Sequence, residues 1–272
     1  MSSNSKGYYF SQAKYASDLV ARAGITDNKI DSTPLETNIK FLPQDGSLLK
    51  GPTPYRQLVS SLVYLTITRP DIAYVVHLVS QFMAASHTTH FAAVLHILRY
   101  IKGTLFQGLH FPFNSPLELK ASSDSYWTRD STDWCSTAGY YFFLGDSLIS
   151  WHSKKQTVTA RSSNEAEYQA LADTTSKLVW LQWLLEDMGA HQLKPTTLYC
   201  DNRSAIEITH NDVFHEMTKH IKVDFHFIRQ HLLKKSLSLP STSYIEQVAD
   251  IFIESQLPGR FRQLVSKLKM TR

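Results

Sequence analysis

At 272 residues, with 43% hydrophobic and 19% charged side chains, the chain has the composition of a globular protein with room for two modest cores, which excludes a disordered or collagen-like chain. A net charge of +4 and an isoelectric point near 8.9 favour an anionic partner such as nucleic acid without requiring one. Two cysteines, Cys135 and Cys200, are too few for a disulfide framework, and no apolar run approaches the roughly 20 residues of a membrane helix.

Lys6 to Gln12 reads as a short aromatic strand, and Gln12 to Ala23 as an amphipathic helix with Tyr15, Leu19 and Val20 inward and Gly24 after its end. Asp27 to Gly51 is loop-like, punctuated by Pro34, Pro43 and Gly46. From Tyr55 onward, Leu58, Leu62 and Leu65 share one helical face until Pro70 breaks the run. Asp71 is placed to cap a second helix reaching Met83, and Thr88 or Thr89 a third reaching Lys102 and closed by Gly103. These three helices form a small α-rich unit without a reactive constellation. The opening Met-Ser-Ser-Asn-Ser-Lys lacks an apolar signal core. The expectation is an intracellular protein, cytoplasmic or nuclear, neither secreted nor membrane-bound.

The blocks Tyr55-Arg-Gln-Leu-Val, Tyr64-Leu-Thr, Thr68-Arg-Pro-Asp-Ile-Ala-Tyr74 and Leu98-Arg-Tyr-Ile-Lys-Gly-Thr104, with Gln12-Ala-Lys-Tyr-Ala-Ser-Asp-Leu19 before them, stand in a telling order. They resemble the segment of copia-type LTR-retrotransposon Pol polyproteins between the polymerase palm and the RNase H domain. The resemblance continues to the end of the chain. It implies that residues 1–112 are the thumb- or connection-like end of a reverse transcriptase, residues 113–260 an RNase H-like domain, and residues 261–272 a C-terminal tail. The paired Asp-Asp hairpin that binds polymerase metals in the family has no counterpart, since the chain contains no Asp-Asp dipeptide. Polymerase activity is therefore not expected.

From Leu117 the pattern becomes βββαβα. Leu117 to Ser123 alternates polar and apolar and reaches Asp124. Tyr140 to Leu144 is an apolar aromatic strand, Gly145-Asp146 a tight turn, and Leu148 to Trp151 the return strand. Ser162-Ser-Asn-Glu165 is a capping box that starts a long helix carrying Tyr168, Leu171, Leu178, Leu181 and Leu185 at helical spacing, ended by Gly189. Trp180 and Trp183 on that helix read as core or interface aromatics rather than a base-stacking device. Thr196 to Cys200 is an apolar strand that stops at Asp201, with Asn202 or Ser204 able to cap the next helix. Thr218 to Lys235 is a further helix, Leu237 to Ser243 a fifth strand, and Asp250 opens a late helical segment. The order is that of an α/β protein. The resemblance supplies the name, an RNase H-like fold: a five-stranded mixed sheet with flanking helices, here preceded by the α-rich region.

Asp124, Glu167, Asp201 and Asp250 are separated acids at strand ends and helix starts, the lip where an α/β sheet presents catalytic groups. Phosphodiester hydrolysis needs an activated water and charge opposite the leaving oxygen, and two Mg²⁺ ions about 3.5–4 Å apart supply both. Such ions are held by a few carboxylates plus water and substrate phosphates. In the resembled family the four acids run Asp, Glu, Asp, Asp. Here Ser123-Asp124-Ser125, Glu165-Ala-Glu167-Tyr-Gln-Ala-Leu171, Asp201 and Glu246-Gln-Val-Ala-Asp250-Ile-Phe occupy the four blocks. Glu167 is preferred to Glu165, which the cap explains, and Asp250 to the mid-helix Asp224. The implied function is Mg²⁺-dependent hydrolysis of the RNA strand of RNA–DNA hybrids, with Mn²⁺ able to substitute.

Two blocks depart from the family. Asp124-Ser-Tyr126-Trp127 replaces Asp-Ala-Asp-Trp, and Asp250-Ile-Phe-Ile-Glu254 replaces Asp-Ile-Phe-Thr-Lys. The competing reading is a non-catalytic remnant of a truncated Pol that binds nucleic acid or is inert. For the hybrid the sequence offers Lys219, Lys222, His226 and Arg229 on one helical stripe, opposite Ile221, Phe225, Ile228 and Leu232, with Lys154 and Lys155 after the third strand. His215, His220, His226 and His231 lack the cysteine or acid set that would complete a tetrahedral zinc site. Nothing in the pattern specifies an oligomer.

Overall fold

The computed structural model describes residues 1–37, 39, 41–127, 135–210 and 219–271, with the backbone alone at 219–221. It divides into two compact units, Met1–Phe113 with Glu254–Arg272, and Asn114–Ile253.

The first unit opens with β1 (Ser2–Asn4), β2 (Gly7–Phe10) and the helix α1 (Ala13–Arg22). There follow α2 (Thr53–Leu65), α3 (Ala73–Ser80), α4 (Thr88–Gly103) and β3 (Leu109–Pro112). The strands form an antiparallel sheet in the order β1-β2-β3. The helical periodicity holds: Leu58, Leu62 and Leu65 are buried, as are Val75, Val76 and Val79 of α3 and Val94, Ile97, Leu98 and Ile101 of α4.

The expected cap at Asp71 does not form. A 3₁₀ turn, Pro70–Ile72, precedes α3, and the carboxylate is engaged elsewhere. Arg69 donates to it twice, Nε to Oδ1 at 2.9 Å and Nη2 to Oδ2 at 2.7 Å, and the Tyr100 hydroxyl donates to Oδ2 at 2.6 Å. The same guanidinium donates to Thr104 O and Oγ1 at 2.9 and 2.8 Å. A buried ion pair of this kind persists only when its hydrogen-bonding capacity is met, and Tyr100 and Thr104 at the end of α4 help meet it. Two of the family-like blocks thus have a structural reason: they tie the start of α3 to the end of α4.

The second unit contains β4 (Leu119–Tyr126), β5 (Thr137–Leu144), β6 (Ser147–Lys155), α5 (Ser163–Asp187), β7 (Thr196–Tyr199), α6 (Arg203–His210), α7 (Lys219–Leu233) and β8 (Leu237–Ser238). A 3₁₀ turn, Ala249–Phe252, closes it. The five strands lie in the order β6-β5-β4-β7-β8. The β4–β5 and β5–β6 pairs are antiparallel, whereas β4–β7 and β7–β8 are parallel. One face is the core, where Leu119, Ala121, Phe142 and Leu198 meet Leu171 and Leu178 of α5 and Phe225 and Ile228 of α7. Strand alternation turns Ser122 and Asp124 to the opposite face.

β4 runs three residues further than its apolar pattern because its pairing with β5 continues through Asp124↔Gly139, Ser125↔Ala138 and Tyr126↔Thr137. Asp124 therefore lies within the strand. The fifth strand is shorter than expected: Pro240 lacks an N–H, and pairing resumes only at the single Cys200↔Ser241 bridge. The chain ends with α8 (Pro258–Lys267), which belongs to the first unit. Phe261 packs edge-on to Tyr100 at 5.6 Å, Leu264, Val265 and Leu268 are buried, and Thr271 bridges Gly108. The unit boundary thus falls after Ile253, and residues 261–272, expected as a tail, are mostly helix. Among the described residues no helix is long and apolar enough to cross a membrane.

Candidate active site

Four elements of the second unit each deliver one acid to the same end of β4. Asp124 comes from the strand itself. Glu167 comes from the start of α5, where Ser162 Oγ accepts from Glu165 N at 3.2 Å and Glu165 Oε2 accepts from Arg161 N at 2.7 Å. Glu165 is thus occupied at the helix start, and Glu167 turns inward to 3% exposure. Asp201 follows β7, and Asn202 Oδ1 caps α6 by accepting from Ala205 N at 2.9 Å. Asp250 sits in the closing 3₁₀ turn at 2% exposure.

The turn reaches β5 because residue 139 is glycine. A Cβ there would stand 2.7 Å from Phe252 Cβ and 2.8 Å from Ile253 Cγ2. The close approach brings Asp250 into hydrogen-bond range of Asp124. Gln247, fully buried, joins the pieces: its Nε2 donates to Ser123 O at 3.1 Å and to Asp201 Oδ1 at 3.4 Å. Its Oε1 accepts from Ser122 Oγ at 2.6 Å and from Ala249 N at 3.3 Å. Both oxygens of Glu167 are also held. Ser125 Oγ donates to Oε2 at 2.8 Å and Cys200 Sγ donates to Oε1 at 3.3 Å.

Burial pushes the Asp124 carboxyl well above the usual range, and the charges of Glu167 and Asp201 and the bond to Asp250 push the same way. Burial likewise raises Glu167 to about 7, helped by Asp201 and opposed by the Ser125 and Cys200 bonds. Carboxylates packed this closely keep protons unless a cation neutralises them. The donor set, four carboxylates of which three are nearly inaccessible to water, fits a hard divalent ion of the Mg²⁺ type.

Sequence reasoning singled out the four acids but assigned no role to Gly139, Ser125, Cys200 or Gln247. Gln247 carried a signal: it is a polar residue entering the apolar run Val248-Ala249 before Asp250.

The cations proposed for nucleic acid do not form one patch. Lys154 and Lys155 lie on β6, one edge of the sheet, and Lys154 is felt by Asp173 of α5. Lys222, His226 and Arg229 lie on α7, which packs on α5 and β8, the other edge strand. Lys222 and His226 are exposed, while Arg229 is half-buried with its guanidinium 5.8 Å from the Phe225 ring centroid. The Lys219 side chain and His215 lie outside the described residues. Trp180 and Trp183 are not core residues: they are 49% and 63% exposed, and Lys177 Nζ sits 3.7 Å from the Trp180 ring centroid.

A mixed five-stranded sheet with an antiparallel first half, a parallel second half and four acids gathered at its central strand defines an RNase H-like domain. The chain belongs to the retrovirus-related Pol polyproteins of transposons. It is 40% identical over 266 residues to the Pol polyprotein from transposon RE1 of Arabidopsis thaliana, covering 98% of this chain and 18% of that protein. To the Pol polyprotein from transposon TNT 1-94 of Nicotiana tabacum it is 36% identical over 256 residues, covering 91% of this chain and 19% of that protein. The chain therefore spans about a fifth of these relatives' length. No family model matches it. Among solved structures, LC11-RNase H1 in complex with an RNA/DNA hybrid aligns with 50% of this chain and 94% of its own, at 14% identity and a TM-score of 0.38.

Proposed function

We propose that the second unit is a ribonuclease H that hydrolyses the RNA strand of RNA–DNA hybrids. The observation that carries this reading is the convergence of Asp124, Glu167, Asp201 and Asp250 from four elements into one cluster, three of them buried, in which the neighbouring acids push the Asp124 carboxyl upward. Asp124, Glu167, Asp201 and Asp250 would hold two Mg²⁺ ions, or Mn²⁺ in their place, which when bound supply charge opposite the attacking and leaving oxygens of the phosphodiester. Ser125 and Cys200 fix the plane of the Glu167 carboxylate, and Gln247 fixes Asp201 against β4.

Phosphates of the hybrid would be gripped from two flanks, by Lys154 and Lys155 on β6 and by Lys219, Lys222, His226 and Arg229 on α7. Such contacts are salt-dependent, and the 2′-hydroxyl distinguishes the strand to be cut. The departures from the family blocks leave the acids in place; Tyr126, where the family carries an acid, is 45% exposed. In this reading the first unit is the thumb- or connection-like end of a reverse transcriptase without its polymerase centre, and two cysteines, Cys135 and Cys200, that form no disulfide suit an intracellular setting.

The test is cleavage of a labelled RNA–DNA hybrid in Mg²⁺ by the full chain and by Asp201→Asn. Cutting of the RNA strand should fall at least about a hundredfold in the variant while hybrid binding survives. A folded unsubstituted chain that binds hybrid and never cuts would leave the non-catalytic remnant as the better description.

A further inference from the structure

The donors around the cluster are not all oxygen. Glu167, Cys200 and Asp201 each offer one ligand atom, and the three atoms lie within 4.8 Å of one another. Cys200 is fully buried at the end of β7, where the Ser241 bridge holds its backbone. Its Sγ lies 3.3 Å from Glu167 Oε1, so the thiol is aimed at the same carboxylate that faces Asp124.

Mg²⁺ avoids sulfur, whereas Zn²⁺ and its softer relative Cd²⁺ take thiolate together with carboxylate. Sulfur and oxygen ligands at roughly 2.3 and 2.0–2.2 Å from a tetrahedral Zn²⁺ stand about 3.5 Å apart. The Sγ–Oε1 pair already has close to that span. Only Asp201, half-buried and held by Gln247 at the long distance of 3.4 Å, has to close in.

We propose that Glu167, Cys200 and Asp201 form a thiophilic pole of the site, which binds Zn²⁺ or Cd²⁺ through the Cys200 sulfur and so competes with Mg²⁺ for the two carboxylates. Cys200 is then the residue that sets metal discrimination. It positions Glu167 in the metal-free protein and becomes a ligand only to a soft ion. On binding, the S–H bond is exchanged for an S–metal bond, the thiol proton leaves to solvent and Glu167 Oε1 passes from the thiol to the ion; no electrons are transferred. That Mg²⁺ is the ion displaced rests on the nuclease reading above; the sulfur ligation does not.

The experiment is Cd²⁺ titration of the full chain, following the ultraviolet sulfur-to-cadmium charge-transfer band. Cys135, the second cysteine outside any disulfide, is the internal control. The band should appear at one equivalent in the unsubstituted chain and in Cys135→Ser. In Cys200→Ser it should vanish and Cd²⁺ binding should weaken at least about tenfold, with the circular-dichroism spectrum and melting temperature as the check that the fold persists. Cadmium-113 NMR of the unsubstituted chain reads sulfur ligation directly, so a misfolded variant would not decide the question. A band that survives Cys200→Ser, or an all-oxygen cadmium shift, overturns the proposal. Failure of hybrid cleavage with the band intact removes the nuclease reading alone, and cleavage without the band removes this one alone.

Discussion

A carboxyl group without water around it keeps its proton to higher pH, and Glu167 keeps its own to about 7, against an ordinary value of 4.5. The unfolded chain therefore ionises this group first. Below about pH 4.5 the group is protonated in both states and contributes nothing to the pH dependence. Between there and about 7 folding takes up a proton and stability falls as pH rises; above 7 the penalty is constant. Its ceiling is about 3 kcal/mol, and Asp124 acts in the same direction. The metal-free protein should lose melting temperature from pH 5 to pH 8, Glu167→Gln should flatten that slope and stabilise at pH 8, and saturating Mg²⁺ should stabilise more at pH 8 than at pH 5. Differential scanning calorimetry of the two proteins decides it; identical slopes would refute the assignment. Gln247→Leu is a second probe at this scale. It leaves Ser123 O and Ser122 Oγ without their amide partner, so stability should drop by about 1–3 kcal/mol and Mn²⁺ affinity should fall with it. The acids themselves were legible in the sequence because each sits in a block of recognisable neighbours. Gln247, Ser125 and Cys200 were not, because their roles depend on which side chain they face across the fold.

Periodicity exposed the elements, but not how they close on one another. The apolar run of β5 reads from Tyr140, since glycine disfavours strands, yet the strand begins at Thr137 and Gly139 is where the Asp250 turn lands. The turn itself has no helical repeat to reveal it. Gly139→Ala tests the contact: its Cβ would meet Phe252 and Ile253 well inside van der Waals distance, so the turn must shift and carry Asp250 away from Asp124. The expected cost is about 1–3 kcal/mol of stability, together with weaker Mn²⁺ binding and slower hybrid cleavage. Loss of stability with metal affinity unchanged would mean that the turn yields without moving Asp250. The short β8 follows the same logic in reverse, where Pro240, visible in the sequence, ends a strand that hydrophobicity alone would have extended to Ser243.

At the scale of the whole chain, the acid cluster and the Arg69 network lie in different units, so damage to one can be separated from damage to the other. Sequence order concealed this division, because residues 254–272 follow the second unit in the chain but complete the core of the first. Apolar residues in α8 gave no indication of which core they enter; the edge-on packing of Phe261 against Tyr100 does. Arg69→Met leaves the Asp71 carboxylate buried with Tyr100 and no guanidinium, and removing one partner of a buried pair costs about 3–5 kcal/mol. Deleting residues 254–272 strips Phe261, Leu264 and Val265 from the same core. Both changes should lower amide hydrogen-exchange protection in α3 and α4. Protection in β4 and α5, and Mn²⁺ binding at the acids, should stay close to the unsubstituted values, because every residue that holds those acids lies between Ser122 and Ile253. Equal loss of protection in both units after Arg69→Met would show a single cooperative fold instead. The acid cluster would then depend on the first unit for its stability, as well as on the four elements that deliver its carboxylates.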